Sequence, residues 1–397
     1  MFIRKTRNLL EDTQSLVEIY DSHATIRTAA ILLGILLATA CAGGGTAQAV
    51  PSPATPSPMI PSPGNCPQPA ITPPPNRQTV PEPPPPKGTV QATIPVDFGP
   101  GGLATGFGSI WIAAHRSNTV FRIDPATNKV VAAIKIAIPD VDSGIGTLTV
   151  GARYVWLPVG SQMDQLWRIN PATNQVDLKV PFDSVGSPAE VGTALWVDID
   201  PANGHAARHS EKQVDPDTLQ VLRTVDLGPA ISGPKYMPDL DYGLGSLWAI
   251  FADDEVARVD PSSGTVVATI RLPAAPRGYG AISFAAGYMF ITLGDETVAR
   301  IDPATNCVNG IAYLGRTLGQ SQPNSNIGDL GLAVAPQGLY VVFDRGALAL
   351  LDPVTLKVRT SVRLDVQDYI VRATYGFGSV WYSTFGNNTV LRLKPIV

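Results

Sequence analysis

The sequence predicts an all-β chain, a seven-bladed β-propeller of four-stranded antiparallel blades whose ring is closed by an N-terminal strand over residues 89–96. Three observations carry this expectation. One pattern recurs seven times, and its central aromatic falls at Trp111, Trp156, Trp196, Trp248, Phe290, Tyr340 and Trp381, at spacings of 40 to 52 residues. Within each copy, turn residues interrupt short apolar runs and no helical period is sustained, the pattern of stacked strand units rather than a sandwich. Finally, the last copy is one strand short, and a strand of the missing type stands ahead of the first copy.

The first copy justifies four strands per blade. Leu103 to Thr105 form the innermost strand, Gly106 to Gly108 turn the chain, Ile110 to Ala114 run out, Thr119 to Ile123 return, and Val130 to Ile136 form the outer strand. Glycine provides positive φ at the first turn without steric cost. The third turn, Asp124 to Asn128, joins a proline that presets φ to Asp and Asn side chains that bond nearby backbone. The same turn recurs at Asn170 to Asn174, Asp215 to Thr218, Asp260 to Gly264, Asp302 to Asn306 and Asp352 to Thr355. Six such turns serve seven blades. In the seventh, Val390 to Leu393 runs straight into Lys394 and Pro395. Outer strands elsewhere alternate apolar residues, as in Val130, Ala132, Ile134 and Ile136, and Val90, Ala92, Ile94 and Val96 repeat that alternation. Placing this strand on the last blade leaves no long open edge.

The repeated aromatics read as packing between blades. Five of the six tryptophans share one strand position, and Trp167, in the third strand of blade two, stands apart.

Ahead of the ring, residues 42–88 form a linker that is dense in proline from residue 51, including Pro83 to Pro86. Such a composition favours an extended polyproline-II spacer, reaching on the order of 100 Å at about 3.1 Å per residue. Residues 29–40 are an apolar run with Arg27 just before it, too short to span a bilayer and of the right length for a secretory signal. Residues 1–41 therefore read as a signal peptide with a long N-terminal extension that carries Glu11, Asp12, Glu18 and Asp21 among its basic residues. The run ends Leu37-Ala38-Thr39-Ala40-Cys41, which resembles the lipobox of bacterial lipoproteins with its leucine one place early, and makes Cys41 the lipidation candidate. Ala47-Gln48-Ala49 offers an alternative cleavage that would release a secreted protein. The expected place is an exported one, at the bacterial surface or periplasmic side of the membrane.

Composition fits an exported globular domain: 44% hydrophobic, 16% charged, net charge −4 and no basic cluster, so nucleic-acid binding has no electrostatic footprint. Three cysteines do not make a disulfide framework; if Cys41 is lipidated, Cys66 and Cys307 remain, and an oxidising compartment would permit their pairing. A monomer is expected.

Gly108-Ser109-Ile110-Trp111-Ile112-Ala113-Ala114 and Gly378-Ser379-Val380-Trp381-Tyr382-Ser383-Thr384 resemble YVTN-type repeats and those of virginiamycin B lyase-like propellers, over residues 89–397. The resemblance implies a seven-bladed ring and, for the streptogramin lyases, elimination within a cyclic depsipeptide by histidine and glutamate with magnesium. Of His115, His205 and His209, the last alone has an acid two residues on, Glu211, and no copy ends its aromatic strand in glutamate.

Ligands of such rings bind where the loops between second and third strands and the crossings between blades gather. Candidate residues there are His115, Arg116, Asp164, Asp198, Asp200, His205, His209, Tyr236, Asp253, Asp254, Arg277, Asp295, Asp344, Arg345 and Asn387. Their carboxylates suit a divalent cation such as magnesium or calcium, yet the same Asp and Asn residues serve as turn formers, so no resident cofactor is assigned. The long hairpin Asp198 to Lys212 carries His205 and His209 four apart, a spacing that on a helical turn would aim both at a metal, but without a third ligand in fixed register. Two functions stay open. One is a membrane-tethered binding module that holds a protein, peptide or glycan at the channel mouth; the other is an exported lyase or hydrolase with a metal-assisted centre on that face. No Gly-x-Ser-x-Gly elbow, P-loop or His-Glu-x-x-His pattern supports the second.

Overall fold

Seven antiparallel sheets follow one another along the chain. The computed structural model describes Cys66 and residues 88–138, 144–160, 164–182, 185–199, 208–229, 240–252, 254–274, 282–293, 297–314, 330–343, 347–364, 370–384 and 386–397. The signal segment, Cys41 and the linker apart from Cys66 and Gly88 lie outside them. No helix among the described residues is long and apolar enough to cross a membrane. Blade one comprises Pro100–Gly106, Ser109–Ala114, Thr119–Asp124 and Lys129–Lys135, paired in that order. Blades three to six repeat this meander; in blade two the innermost strand is split into Gly144–Ile145 and Thr149–Val150, both on Val155–Gly160.

The seventh blade is completed as the sequence predicts. Val90–Pro95 pairs antiparallel with Thr389–Leu393, with Val90 opposite Leu393 and Ile94 opposite Val390. Its side chains do unequal work. Ile94 is fully buried among Leu103, Ile112 and Trp381, Ala92 and Val96 pack partly against that cluster, and Val90 is exposed. The apolar alternation is thus converted into burial at three of its four positions, because an outer strand is covered only where a neighbouring blade overlaps it.

The core is a ring of seven interfaces. Each hydrophobic cluster among the described residues joins two successive blades, and Trp111, Trp156, Trp196, Trp248, Phe290, Tyr340 and Trp381 are all wholly buried within them. The packing role expected of these rings is what they perform. Trp167 also lies in the core, its indole N–H donating to the Gln165 side chain and Lys179 resting 3.8 Å over its ring. Between the first and second strands, Phe107 and Gly108 both adopt positive φ, 50° and 69°, the mirror-image turn whose twist matches a hairpin.

The six Asp-Pro and Asn-Pro turns share one geometry. The first residue accepts a backbone hydrogen bond from the fifth, as from Asn128 to Asp124 at 2.9 Å, and the fifth lies in the left-handed region: Asn128, Asn174, Leu219, Gly264, Asn306 and Leu356. The first side chain caps the turn, Asp124 Oδ1 accepting from the Ala126 N–H at 2.9 Å and Asp260 Oδ1 from the Ser262 N–H at 2.9 Å. These donors lower the carboxyl pKa values. Asp260 is held at about 2, first by the Ser262 hydroxyl, and Asp124, Asp215 and Asp352 are lowered by similar donors.

An arginine then ties each turn to the blade before it. Arg122 lies over Trp111 at 4.9 Å, donates to Ser109 Oγ at 2.8 Å, and reaches into blade two to the Pro171 carbonyl at 2.6 Å and Asn174 Oδ1 at 2.9 Å. Arg258 does the same with Trp248, Ser246, Pro303 and Asn306, and Arg392 closes the ring onto Pro125 and Asn128. Arg168 and Arg300 reach the Pro216 and Pro353 carbonyls while lying over Tyr154 and Tyr288. Two junctions differ. From blade three, Arg223 of the outer strand reaches Ser262 O at 3.0 Å. Blade seven has no such turn to offer, and Tyr340 of blade six donates its hydroxyl to the Ile396 carbonyl at 2.6 Å instead; burial pushes that phenol up to about 12.

Deleting residues 88–96 is expected to abolish cooperative thermal unfolding, because the last blade loses its outer ladder and Ile94; an unchanged sharp transition in the truncated chain would refute this closure. Replacing Arg258 by alanine should cost about 2 kcal/mol in denaturant titrations, the worth of charged hydrogen bonds. Lysine should recover little, since one ammonium cannot reproduce a planar fork. For Asp124, Asp215, Asp260 and Asp352 the folded pKa lies below the ordinary 3.8. Their contribution is therefore complete above pH 3.8 and is lost as pH falls towards about 2. Asp260→Asn should flatten that acid slope, as followed by melting temperature between pH 5 and pH 2; an unchanged slope counts against it.

Candidate functional site

The described candidate residues divide into those engaged by their own loops and those brought together. His115 follows the strand Ser109–Ala114, its backbone N–H bonded to Gly99 O at 2.9 Å and its ring Nδ1 against the Ile145 carbonyl of blade two. Any side chain at Gly101 would overlap this ring, so glycine there makes room for it. Burial pushes the imidazole pKa down, as does the nearby Arg372 charge, while the Ile145 carbonyl opposes both. His115 is accordingly a neutral strut between blades one and two. Arg116 is exposed and lies over Phe98 at 5.1 Å. Asp254 pairs with Arg271 at 2.9 Å on the surface, and Asn387 sits exposed in the last hairpin. Asp164 backs onto Gly160, which takes φ 124°. Asp200, His205, Tyr236, Asp253, Arg277, Asp295, Asp344 and Arg345 lie outside the described residues.

Asp198 and His209 meet. The strand Ala194–Ile199 pairs with Arg208–Val214, setting Asp198 opposite Glu211 and Ile199 opposite Ser210. In a strand, residues two apart share a face, so His209 and Glu211 lie together beside Asp198. That face is the one Trp196 turns towards Leu247, Ala249 and Val259 of blade four. His209 Nε2 is 2.6 Å from Asp198 Oδ1, and Asp198, His209 and Glu211 are 1%, 4% and 0% exposed. The helical-turn reading of His209 is corrected: the strand resumes at Arg208, so the hairpin insertion is shorter than Asp198 to Lys212, and the third partner comes from the ladder rather than from a loop.

The electrostatics of this trio are unusual. Asp198 Oδ2 and both Glu211 carboxyl oxygens are buried without a hydrogen-bond partner among the described residues. A buried acceptor left so costs roughly 1–3 kcal/mol, and a charged one more. Burial first, and then the neighbouring Asp198 carboxylate, push the Glu211 pKa well above the usual carboxylate range. Glu211 was visible in the sequence only as the acid two residues after His209. The signal for its role was the period-two spacing, which becomes meaningful once the register across the insertion is known.

A second feature lies at the centre of the ring. The innermost strands enclose a cavity of about 310 Å³ lined by residues that include Asp241, Ser283, Leu332, Arg372 and Tyr375. Sequence reasoning concentrated on hairpin loops and missed these positions, because the short inner strands carry little pattern of their own. Close approach there depends on small residues: a side chain at Gly331 would press on the Ala373 backbone at 3.1 Å.

A family model described as glutamine cyclotransferase matches residues 204–280, about a fifth of the chain. No curated protein matches the sequence. Among solved structures, a hydrazine synthase from Kuenenia stuttgartiensis is similar with a TM-score of 0.59 and 14% identity, over 78% of this chain and 100% of that one. Virginiamycin B lyase from Staphylococcus aureus gives 0.58 and 14%, over 77% and 99%, and BamB from Moraxella catarrhalis gives 0.52 and 11%, over 74% and 84%. Likeness at such low identity, together with the seven sheets closed by the N-terminal strand, shows the fold: the chain is a seven-bladed β-propeller.

Proposed function

We propose that this chain is an exported propeller, held at the membrane through a lipid on Cys41, that acts as a binding module for a protein, peptide or glycan at the mouth of its central channel. The observation that carries export is the disulfide between Cys66 and Cys307, whose Cα atoms are 5.7 Å apart. Disulfides form and persist in oxidising compartments and are rare where glutathione keeps thiols reduced. Cys307 is the first residue of the outer strand of blade five, Cys307–Tyr313, so the bridge fastens the proline-rich segment to the rim of the ring.

Binding is supported by the charged central cavity, whose size sits at the lower end of ligand sites. A lyase or hydrolase with a metal-assisted centre on the same face is the second reading, and it draws on the likeness to virginiamycin B lyase. Against it stands the burial of Asp198, His209 and Glu211, none of which is among the residues that line the central cavity.

In a bacterial host, Cys41→Ala should move the chain from the membrane fraction to the soluble one; retention in the membrane sinks the anchor. Maleimide labelling after denaturation should leave Cys66 and Cys307 unmodified until a reductant is added, and labelling without reductant removes the support for export. In a screen of peptides and oligosaccharides, Ser283→Trp, which fills the cavity, should abolish any binding that the unaltered chain displays. Binding that survives this plug places the ligand elsewhere.

A further inference from the structure

We infer that Asp198, His209 and Glu211 form a buried site for one divalent transition-metal cation of the zinc or manganese class, lodged between blades three and four. Three observations converge on it. One ligand atom from each of the three residues lies within 4.8 Å of the others. A cation with ligands about 2.0–2.2 Å away spans up to roughly twice that between its ligand atoms, so side-chain rotation closes the remainder. The wholly buried Glu211 directs both of its oxygens, and Asp198 its Oδ2, at no hydrogen-bond donor among the described residues. Gly186, on the innermost strand of the same blade, lets Asp198 Oδ2 lie where any Cβ would stand, which seats that carboxylate against the inner strand.

Charge and chemistry agree with that geometry. Two carboxylates and a neutral imidazole balance a divalent cation to zero net charge, the condition under which so many ionisable groups are tolerated out of water. One nitrogen with two carboxylate oxygens is a donor set for zinc or manganese; calcium and magnesium prefer oxygen alone. Position adds a further reason. The blade-three to blade-four junction is where the third-strand arginine is replaced by Gln213, and where the Trp196 indole N–H has no hydrogen-bond partner among the described residues. A cation held by Asp198 and Glu211 would cross-link the middle two strands of blade three under blade four. This site is independent of the channel reading, and neither depends on the other.

The untagged full chain, purified without chelator, should carry about one equivalent of zinc or manganese by elemental analysis. After chelator treatment, adding Zn²⁺ or Mn²⁺ should raise Tm by several degrees, saturating at one equivalent, and Mg²⁺ should not. Glu211→Gln should lower metal content about tenfold and remove the Tm response. Because a core variant can fail to fold, Co²⁺ added to the chelator-treated unaltered chain provides a second readout: visible bands of a low-symmetry site, abolished by one equivalent of Zn²⁺. The inference is overturned if neither Zn²⁺ nor Mn²⁺ shifts Tm, if Co²⁺ gives only the spectrum of the aqueous ion, or if Glu211→Gln melts at or above the metal-free parent without losing metal. That last result would identify Glu211 as a neutral acid hydrogen-bonded to Asp198.

Discussion

A guanidinium lying over an aromatic ring and hydrogen-bonded to the carbonyl of the next blade's turn is the contact on which the ring depends. It appears in five junctions, from Arg122, Arg168, Arg258, Arg300 and Arg392. Its strength comes from pairing a cation with acceptors that the turn itself leaves over. The Asp or Asn at the head of each turn spends its side chain on backbone N–H groups, which rigidifies the loop and turns its proline carbonyl outward. The planar fork then spans the carbonyl and, in three of the junctions, the Asn at the turn's end, a geometry that a point charge cannot match.

The exceptions follow from the same logic. Blade seven borrows its fourth strand from residues 90–95 and so has no third turn; the blade before it therefore has Leu350 where arginine would stand, and Tyr340 supplies the hydrogen bond by reaching the chain end at Ile396. Blade three transfers the duty to Arg223 of its outer strand. The middle of that blade is thereby freed from clamp duty, and it is there that Asp198, His209 and Glu211 collect. A repeat fold keeps its arithmetic where the blades must lock and spends its irregularity where they need not.

The disulfide adds a constraint of a different kind. Residues 66 and 307 are 241 apart in sequence, and their union attaches Cys66 to the outer strand of blade five. An edge strand presents unpaired backbone groups, and covering or crowding its start is one way to discourage pairing with another chain.

Sequence alone determined the number of blades, the strand positions within each, the six turns and the strand that closes the ring. These are written in local terms, as apolar alternation, proline and glycine placement and the recurrence of an aromatic, and local terms survive without knowledge of neighbours. What the clamping arginines hold is not written locally, since four of them act on a turn 45 to 53 residues further on and Arg392 on one 267 residues back. Tertiary structure alone decided three things: that Cys66 meets Cys307, that Arg372 and Asp241 line one cavity, and that Glu211 faces Asp198 across the ladder. Each rests on register or on the closing of the ring, where a shift of one residue turns every side chain to the other face.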